Sequence, residues 1–196
     1  MDFKIEKLIN NKISLSYDTI HKLTENCSLN ISNASDIIKN CLMNNGKIFW
    51  CGNGGSASQA QHFSTEIVGG INRHDLMPKP SICLNVDSTF LTAWSNDVGY
   101  DFIFSRQLQG IASKNDVLVS ISTSGNSKNI INAILEAKKI GMKTIAMTGK
   151  NGGDLKNLSD IDIRVPSNNT QNIQEAHLVI GHIICEIIEN FKIEKR

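Results

Sequence analysis

His62 and Glu66, an imidazole and a carboxylate four residues apart, stand directly behind the glycine-serine turn of CGNGGSASQAQHFSTE (Cys51 to Glu66). A helix advances about 100° per residue, so positions four apart share one face, one turn above the other. Both side chains can then reach one ligand, as a base and an acid. The turn follows the apolar run Lys47-Ile-Phe-Trp-Cys51, which has the length and composition of a buried strand, and it leads into the helix carrying the pair. Strand, glycine-rich turn and helix make an anion-binding design. Gly52, Gly54 and Gly55 permit backbone angles that other residues resist, while the free N–H groups and dipole of a helix start favour a phosphate.

A second loop repeats the design. Asp116-Val-Leu-Val-Ser-Ile121 is another buried-strand pattern, and Ser122-Thr-Ser-Gly-Asn-Ser127 follows it immediately. Four hydroxyls (Ser122, Thr123, Ser124, Ser127) beside Gly125 offer neutral donors to phosphate oxygens, just ahead of a helix expected over 128 to 140. The expected ligand is a small phosphorylated molecule. Gly52, Gly54 and Ala57 also satisfy G-x-G-x-x-A, the dinucleotide fingerprint. That reading lacks its ribose-binding acid, since Asp75 falls in a proline-bearing loop and Asp87 is too distant. It also leaves Ser122 to Ser127 unexplained. A P-loop is excluded, because no G-K-[ST] follows the glycines.

The elements that must position these residues alternate along the chain. Strands are expected at 47 to 51, 81 to 85, 117 to 121, 143 to 148 and 161 to 165. Helices are expected at about 57 to 68, 88 to 95, 128 to 140 and 171 to 191. The alternation implies an α/β fold, a parallel five-stranded sheet flanked by helices, with ligands beyond the carboxyl ends of the strands. Ahead of the sheet, Ile5, Leu8, Ile9, Ile13, Tyr17, Ile20 and Leu23 recur at helical spacing, and a second helix runs through Ala34, Ile37, Ile38, Cys41 and Leu42 to Gly46. This N-terminal pair either covers the domain or forms a subunit contact. Residues 1 to 45 therefore read as a helical pair and 46 to 196 as the α/β core of one domain. The last helix has an apolar stripe interrupted by Gln174, Glu175, His177 and His182, one of whose histidines fits a hydrogen-bonded core residue. Asn172 and Glu175 fit a capping box.

Composition narrows the classes. The 196 residues suffice for one self-supporting core, and a net charge of +1 with scattered Lys and Arg gives no case for nucleic acid or an anionic membrane. Five cysteines without C-x-x-C spacing read as reduced core residues of a cytoplasmic protein. No apolar run reaches bilayer length, and the N-terminus lacks a signal-peptide core, so a protein neither exported nor inserted in a membrane is expected.

CGNGGSASQAQHFSTE, the SND of Ser95 to Asp97, ISTSGNS, the TGKNGG of Thr148 to Gly153 and the IQEAHLVIGH of Ile173 to His182 together resemble the sedoheptulose 7-phosphate isomerases, or phosphoheptose isomerases, of the sugar isomerase (SIS) fold. The likeness runs in matching order from about Lys47 to the C-terminus. It implies a single SIS domain that converts sedoheptulose 7-phosphate to D-glycero-D-manno-heptose 7-phosphate, the first step of nucleotide-activated heptose synthesis. It further implies that Asn53, Gly54, Gly55, Ser56, Asn96, Asp97, Ser122, Thr123, Ser124, Ser127, Glu66 and Gln174 hold the substrate. Glu66 would be the base that moves a proton between C1 and C2, and His182 the acid at the carbonyl oxygen. The resemblance also implies a zinc ion on His62, Glu66, Gln174 and His182, and a homotetramer whose sites lie between subunits. Gln174 and His182 are eight apart, about 12 Å along a regular helix, which strains joint ligation and implies zinc that loosens during turnover. Where family members carry Gly-Arg-Tyr or Gly-Arg-Phe, this chain has Gly69-Gly70-Ile71. Two other readings compete: a non-catalytic SIS protein that binds a replication initiator, and an isomerase of another phosphosugar.

Overall fold

The computed structural model describes residues Phe3 to Lys192. It opens with α1 (Phe3–His21), the short α2 (Leu23–Asn26) and α3 (Ser28–Met43), and continues as β1 (Ile48–Gly52), α4 (Gly55–Gly69), β2 (Ser81–Cys83), α5 (Ser88–Asp97), α6 (Ile103–Ile111), β3 (Val117–Ser122), α7 (Lys128–Ile140), β4 (Lys143–Thr148), α8 (Leu155–Leu158), β5 (Ile161–Arg164) and α9 (Thr170–Glu189). The five strands form one parallel sheet in the order β2-β1-β3-β4-β5. Both loops singled out in the sequence leave neighbouring inner strands, β1 and the central β3, at their carboxyl ends.

Side-chain alternation along the strands divides the core in two. Ile48 and Trp50 of β1, Val117, Val119 and Ile121 of β3, and Ile145 and Met147 of β4 pack with Ile38, Phe63, Ile180 and Ile184, beneath α3, α4 and α9. Phe49, Cys51, Leu118 and Ala146 point the other way, into Phe104, Leu108, Ile130 and Ile134 of α6 and α7. Burial on both faces is why these strands read as continuous apolar runs. The five cysteines are free and buried. Burial pushes the Cys27 thiol up to about 11 and those of Cys41 and Cys185 to about 12, which keeps them protonated and unreactive.

Several details differ from the sequence reading. β2 stops at Cys83, because Asn85 leaves the ladder and its side chain takes over, accepting from Gly52 N at 3.2 Å and donating to Gly52 O at 2.9 Å. α6 was unforeseen; it is a short helix whose buried face is Ile103, Phe104 and Leu108. The cap of α9 is Asn169, whose Oδ1 accepts from Gln171 N and Asn172 N at 3.0 and 3.2 Å. Asn172 lies inside the helix, and its Nδ2 donates to Glu175 Oε2, so the expected capping box sits one turn too late. Among the described residues no helix is long and apolar enough to cross a membrane.

Candidate active site

α4 and α9 lie side by side and run in the same direction. A Cβ added to Gly55 would lie 2.6 Å from Gln174 Nε2, so the Gln174 amide rests directly on the start of α4 where residue 55 has no side chain. Gln59 Nε2 donates to Gln174 O at 2.6 Å. Further along, Gly181 is pressed on the Phe63 ring, and at the far end Glu189 meets the segment that follows α4. The offset between partners runs from 115 residues at Gln59–Gln174 to 122 at Phe63–Cys185, so the two parallel helices stay close to one register along their length.

His62 and His182 are one such pair, with their Nε2 atoms 2.8 Å apart. One nitrogen donates to the other, so the two rings hold different tautomers at that edge. Nδ1 of His62 faces Glu66 Oε1 at 3.8 Å. Glu66 and His182 therefore flank His62 on its two ring nitrogens. The arrangement joins a carboxylate and an imidazole that lie on different helices, which is the equipment of a proton-transfer site.

His177 is the other histidine of the stripe and belongs to the core. It is fully buried, and Nε2 donates to Thr148 O at 3.2 Å while Nδ1 has no partner. Burial lowers its pKa from 6.5 to about 4, the Thr148 bond opposing the shift, so the ring is neutral.

The first loop turns at Gly54, whose φ of +56° belongs to glycine. Ser56 is buried in the first turn of α4, and its N–H donates to Asn53 O at 3.0 Å. In the second loop Gly125 has φ +68° and abuts the Gly152 carbonyl so closely that a Cβ has no room. The Thr148 to Gly153 motif and the start of α8 brace this loop from behind, through Gly149 N to Thr123 O at 3.1 Å and Leu155 N to Gly125 O at 3.2 Å. The hydroxyls are turned onto their own loop: Ser122 Oγ accepts from Gly125 N, and Ser124 Oγ accepts from Asn126 N, both at 3.2 Å. Ser122 and Ser127 Oγ are 3.4 Å apart.

Asn96 and Asp97 stand exposed at the end of α5, Asn96 Nδ2 donating to Asp97 Oδ1 at 2.8 Å. From that segment it is Tyr100, three residues beyond Asp97, that reaches the first loop, at Asn53 Oδ1. Tyr100 and its companion Asn129 were not anticipated. Neither lies in a spacing that chemistry would mark, because their role depends on a contact across the fold.

Two features separate the structure from a continuous one-chain site. α4 carries His62 and Glu66 away from the glycine turn, about 10 and 16 Å down the helix from Gly55. Gln174 lies against Gly55, at the opposite end of the helix pair from Glu66. Among the described residues no three His, Cys, Asp or Glu side chains gather closely enough to hold a metal ion.

The SIS domain model matches residues 14–149. A phosphoheptose isomerase of Aliarcobacter butzleri is 47% identical over 173 residues, spanning 88% of this chain and 91% of that protein. The chain belongs to the phosphoheptose isomerase family of SIS-domain proteins. Solved structures agree along the whole fold: the phosphoheptose isomerase from Francisella tularensis has a TM-score of 0.91 at 37% identity, covering 96% of this chain and 99% of that one. The Neisseria gonorrhoeae phosphoheptose isomerase gives 0.90 at 36%, covering 95% and 100%. As a member of this family, the chain is an aldose-ketose isomerase.

Proposed function

We propose that this phosphoheptose isomerase interconverts sedoheptulose 7-phosphate and D-glycero-D-manno-heptose 7-phosphate, with Glu66 and His182 as the acid-base pair. The observation that carries the reading is the junction of Glu66, His62 and His182 across two parallel helices. Glu66 takes the proton from one of the two carbons and returns it to the other. His182 gives a proton to the carbonyl oxygen and recovers one from the neighbouring hydroxyl, so the intermediate is an enediol and protons balance. Each positioned group is worth roughly 10²- to 10⁴-fold in rate.

The phosphate is assigned to the hydroxyls of Ser122, Thr123, Ser124 and Ser127 and to the turn Asn53, Gly54, Gly55 and Ser56, with Asn96, Asp97 and Gln174 toward the sugar. Because the helices displace the acid-base pair from these loops, a substrate held by the loops of one chain meets Glu66 or His182 of a neighbouring copy. α1 supports such an assembly. It buries only Thr19, while Phe3, Leu8, Ile13 and Tyr17 are exposed by 78, 58, 64 and 67%. A large apolar stripe of this kind is suited to a homotetramer interface. A cytoplasmic setting fits the buried, protonated cysteines.

Zinc is part of the proposal. Imidazole and carboxylate are suitable zinc ligands, but Glu66 faces Nδ1 of His62 while His182 faces its Nε2, so the three do not converge on one point as they stand. His62, Glu66 and His182 would hold the ion once Glu66 turns to the Nε2 side, and Gln174 would join only by leaving Gly55. When bound, zinc supplies a Lewis acid for a carbonyl oxygen.

The decisive experiment is NMR of sedoheptulose 7-phosphate in D₂O with the wild type and Glu66→Gln. Aldose formed by the wild type alone supports both substrate and base. Turnover retained by Glu66→Gln removes Glu66 from its role, and a folded wild type inert toward this sugar points to another phosphosugar or to a binding protein.

A further inference from the structure

The turn after β1, the loop after β3 and the 3₁₀ turn Tyr100–Phe102 are separate in the chain, and a single side-chain amide joins them. Asn53 Oδ1 accepts from Asn129 Nδ2 and from Tyr100 Oη, each at 2.8 Å, and Asn53 Nδ2 donates to Asn129 Oδ1 at 2.9 Å. Both lone pairs of the Asn53 carbonyl are therefore used, and one N–H remains for a ligand. Asn129 is only 2% exposed, so its amide could not exchange this pairing for water without loss.

The partners of Asn53 are themselves held. Asn129 stands in the first turn of α7, two residues beyond Ser127 of the hydroxyl loop. The 3₁₀ turn is tied to the same helix by Asn132 Nδ2, which donates to Asp101 O at 2.9 Å. Backbone pairing between β1 and β3 ends at Gly52 and Ile121. Beyond those residues, the Asn53 amide bridges the glycine turn to the first turn of α7, directly behind the hydroxyl loop.

We propose that Tyr100 and Asn129 are positioning residues, which hold the two ligand loops at a preset separation through Asn53. The proposal rests on the sugar-phosphate reading of the loops given above. A ligand spanning both loops then binds without having to order them, which removes part of the entropic cost of association. Asn53 serves more as the hub of this arrangement than as a free donor to substrate.

Tyr100→Phe is the test, because it deletes one hydroxyl from a residue that is 52% exposed and leaves the packing intact. Hydrogen-deuterium exchange should quicken about fivefold in peptides covering 52 to 58 and 122 to 130, the size expected for one lost hydrogen bond, with β4 and α9 unchanged. In the isomerase assay KM for sedoheptulose 7-phosphate should rise about fivefold while kcat stays within about twofold, the mark of lost uniform binding. Unchanged exchange in the two loops overturns the proposal. So does faster exchange spread over the whole chain, which signals general destabilisation, or an unchanged KM in active enzyme. If the wild type does not turn over this sugar while Tyr100→Phe loosens the two loops alone, the substrate assignment falls and the positioning role stands.

Discussion

His62 and His182 face each other Nε2 to Nε2 at 2.8 Å, from helices 120 residues apart in the chain. The contact exists because α4 and α9 approach closely at Gly181, where the Phe63 ring occupies the space of a side chain. Zinc titration by calorimetry should find one ion per chain. His62→Ala should weaken binding by more than the roughly 10- to 100-fold that loss of a supporting group costs. Unaltered affinity would place the ion elsewhere.

Glu66→Gln should lower kcat about 10²- to 10⁴-fold with KM nearly unchanged, since the amide keeps the shape and loses the base. A raised KM with kcat unchanged, measured by steady-state kinetics, would make Glu66 a binding residue instead.

Gly181→Ala should cost about 1–3 kcal/mol, the usual price of overpacking, and lower kcat by at least tenfold as the two imidazoles are driven apart. Thermal unfolding and kinetics on the same sample would test this. A variant as stable and active as the wild type would show that the helices can spread without consequence.

If loops and acid-base pair come from different copies, two inactive variants should rescue each other. Glu66→Gln and Ser124→Glu, unfolded and refolded together, should regain activity, with up to roughly a quarter of sites intact by random assortment. No activity on mixing would place both halves of the site in one chain.

Gly70 stands at φ +84°, and a Cβ there would lie 2.7 Å from Arg73 O and 3.2 Å from Glu189 Oε1. That same Glu189 oxygen accepts the N–H groups of Ile71, Asn72 and Arg73 at 2.7, 2.9 and 3.0 Å. Gly70→Arg, which restores the residue common in the family, should therefore destabilise this chain by about 1–3 kcal/mol in denaturant unfolding. A gain in stability would mean that the segment after Glu66 adopts another path.

His177 links stability to pH. Its folded pKa lies below the unfolded value, so the unfolded chain binds the extra proton and stability rises with pH between about 4 and 6.5. The contribution is complete above 6.5 and lost as pH falls toward 4. Urea midpoints measured across this range should slope upward with pH, and His177→Gln should flatten the slope.

The local patterns carried most of the fold. Apolar runs marked β1, β3 and β4 because the sheet is buried on both faces there, and glycine with serine after β1 and β3 marked the two loops because few other residues tolerate those turns. The pairing of His62 with Glu66 was legible too, since four residues of helix bring side chains together regardless of what surrounds them. α6 escaped although its apolar face is sharply one-sided, because nine residues give barely two turns in which to count a period, and β2 was overextended because a side chain, Asn85, completes its ladder.

What the chain order could not supply was any relation between distant segments. The sequence alone determined the family motifs, the strand and helix alternation and the residue types able to move protons or hold phosphate. The family motifs already set His182 with His62; only the tertiary structure decided that the two meet Nε2 to Nε2, that Gln174 rests on Gly55 away from that meeting, and that Tyr100 and Asn129 grip Asn53. The reason is physical: those contacts are set by where two helices pack and where two strands end, and such packing depends on the whole core.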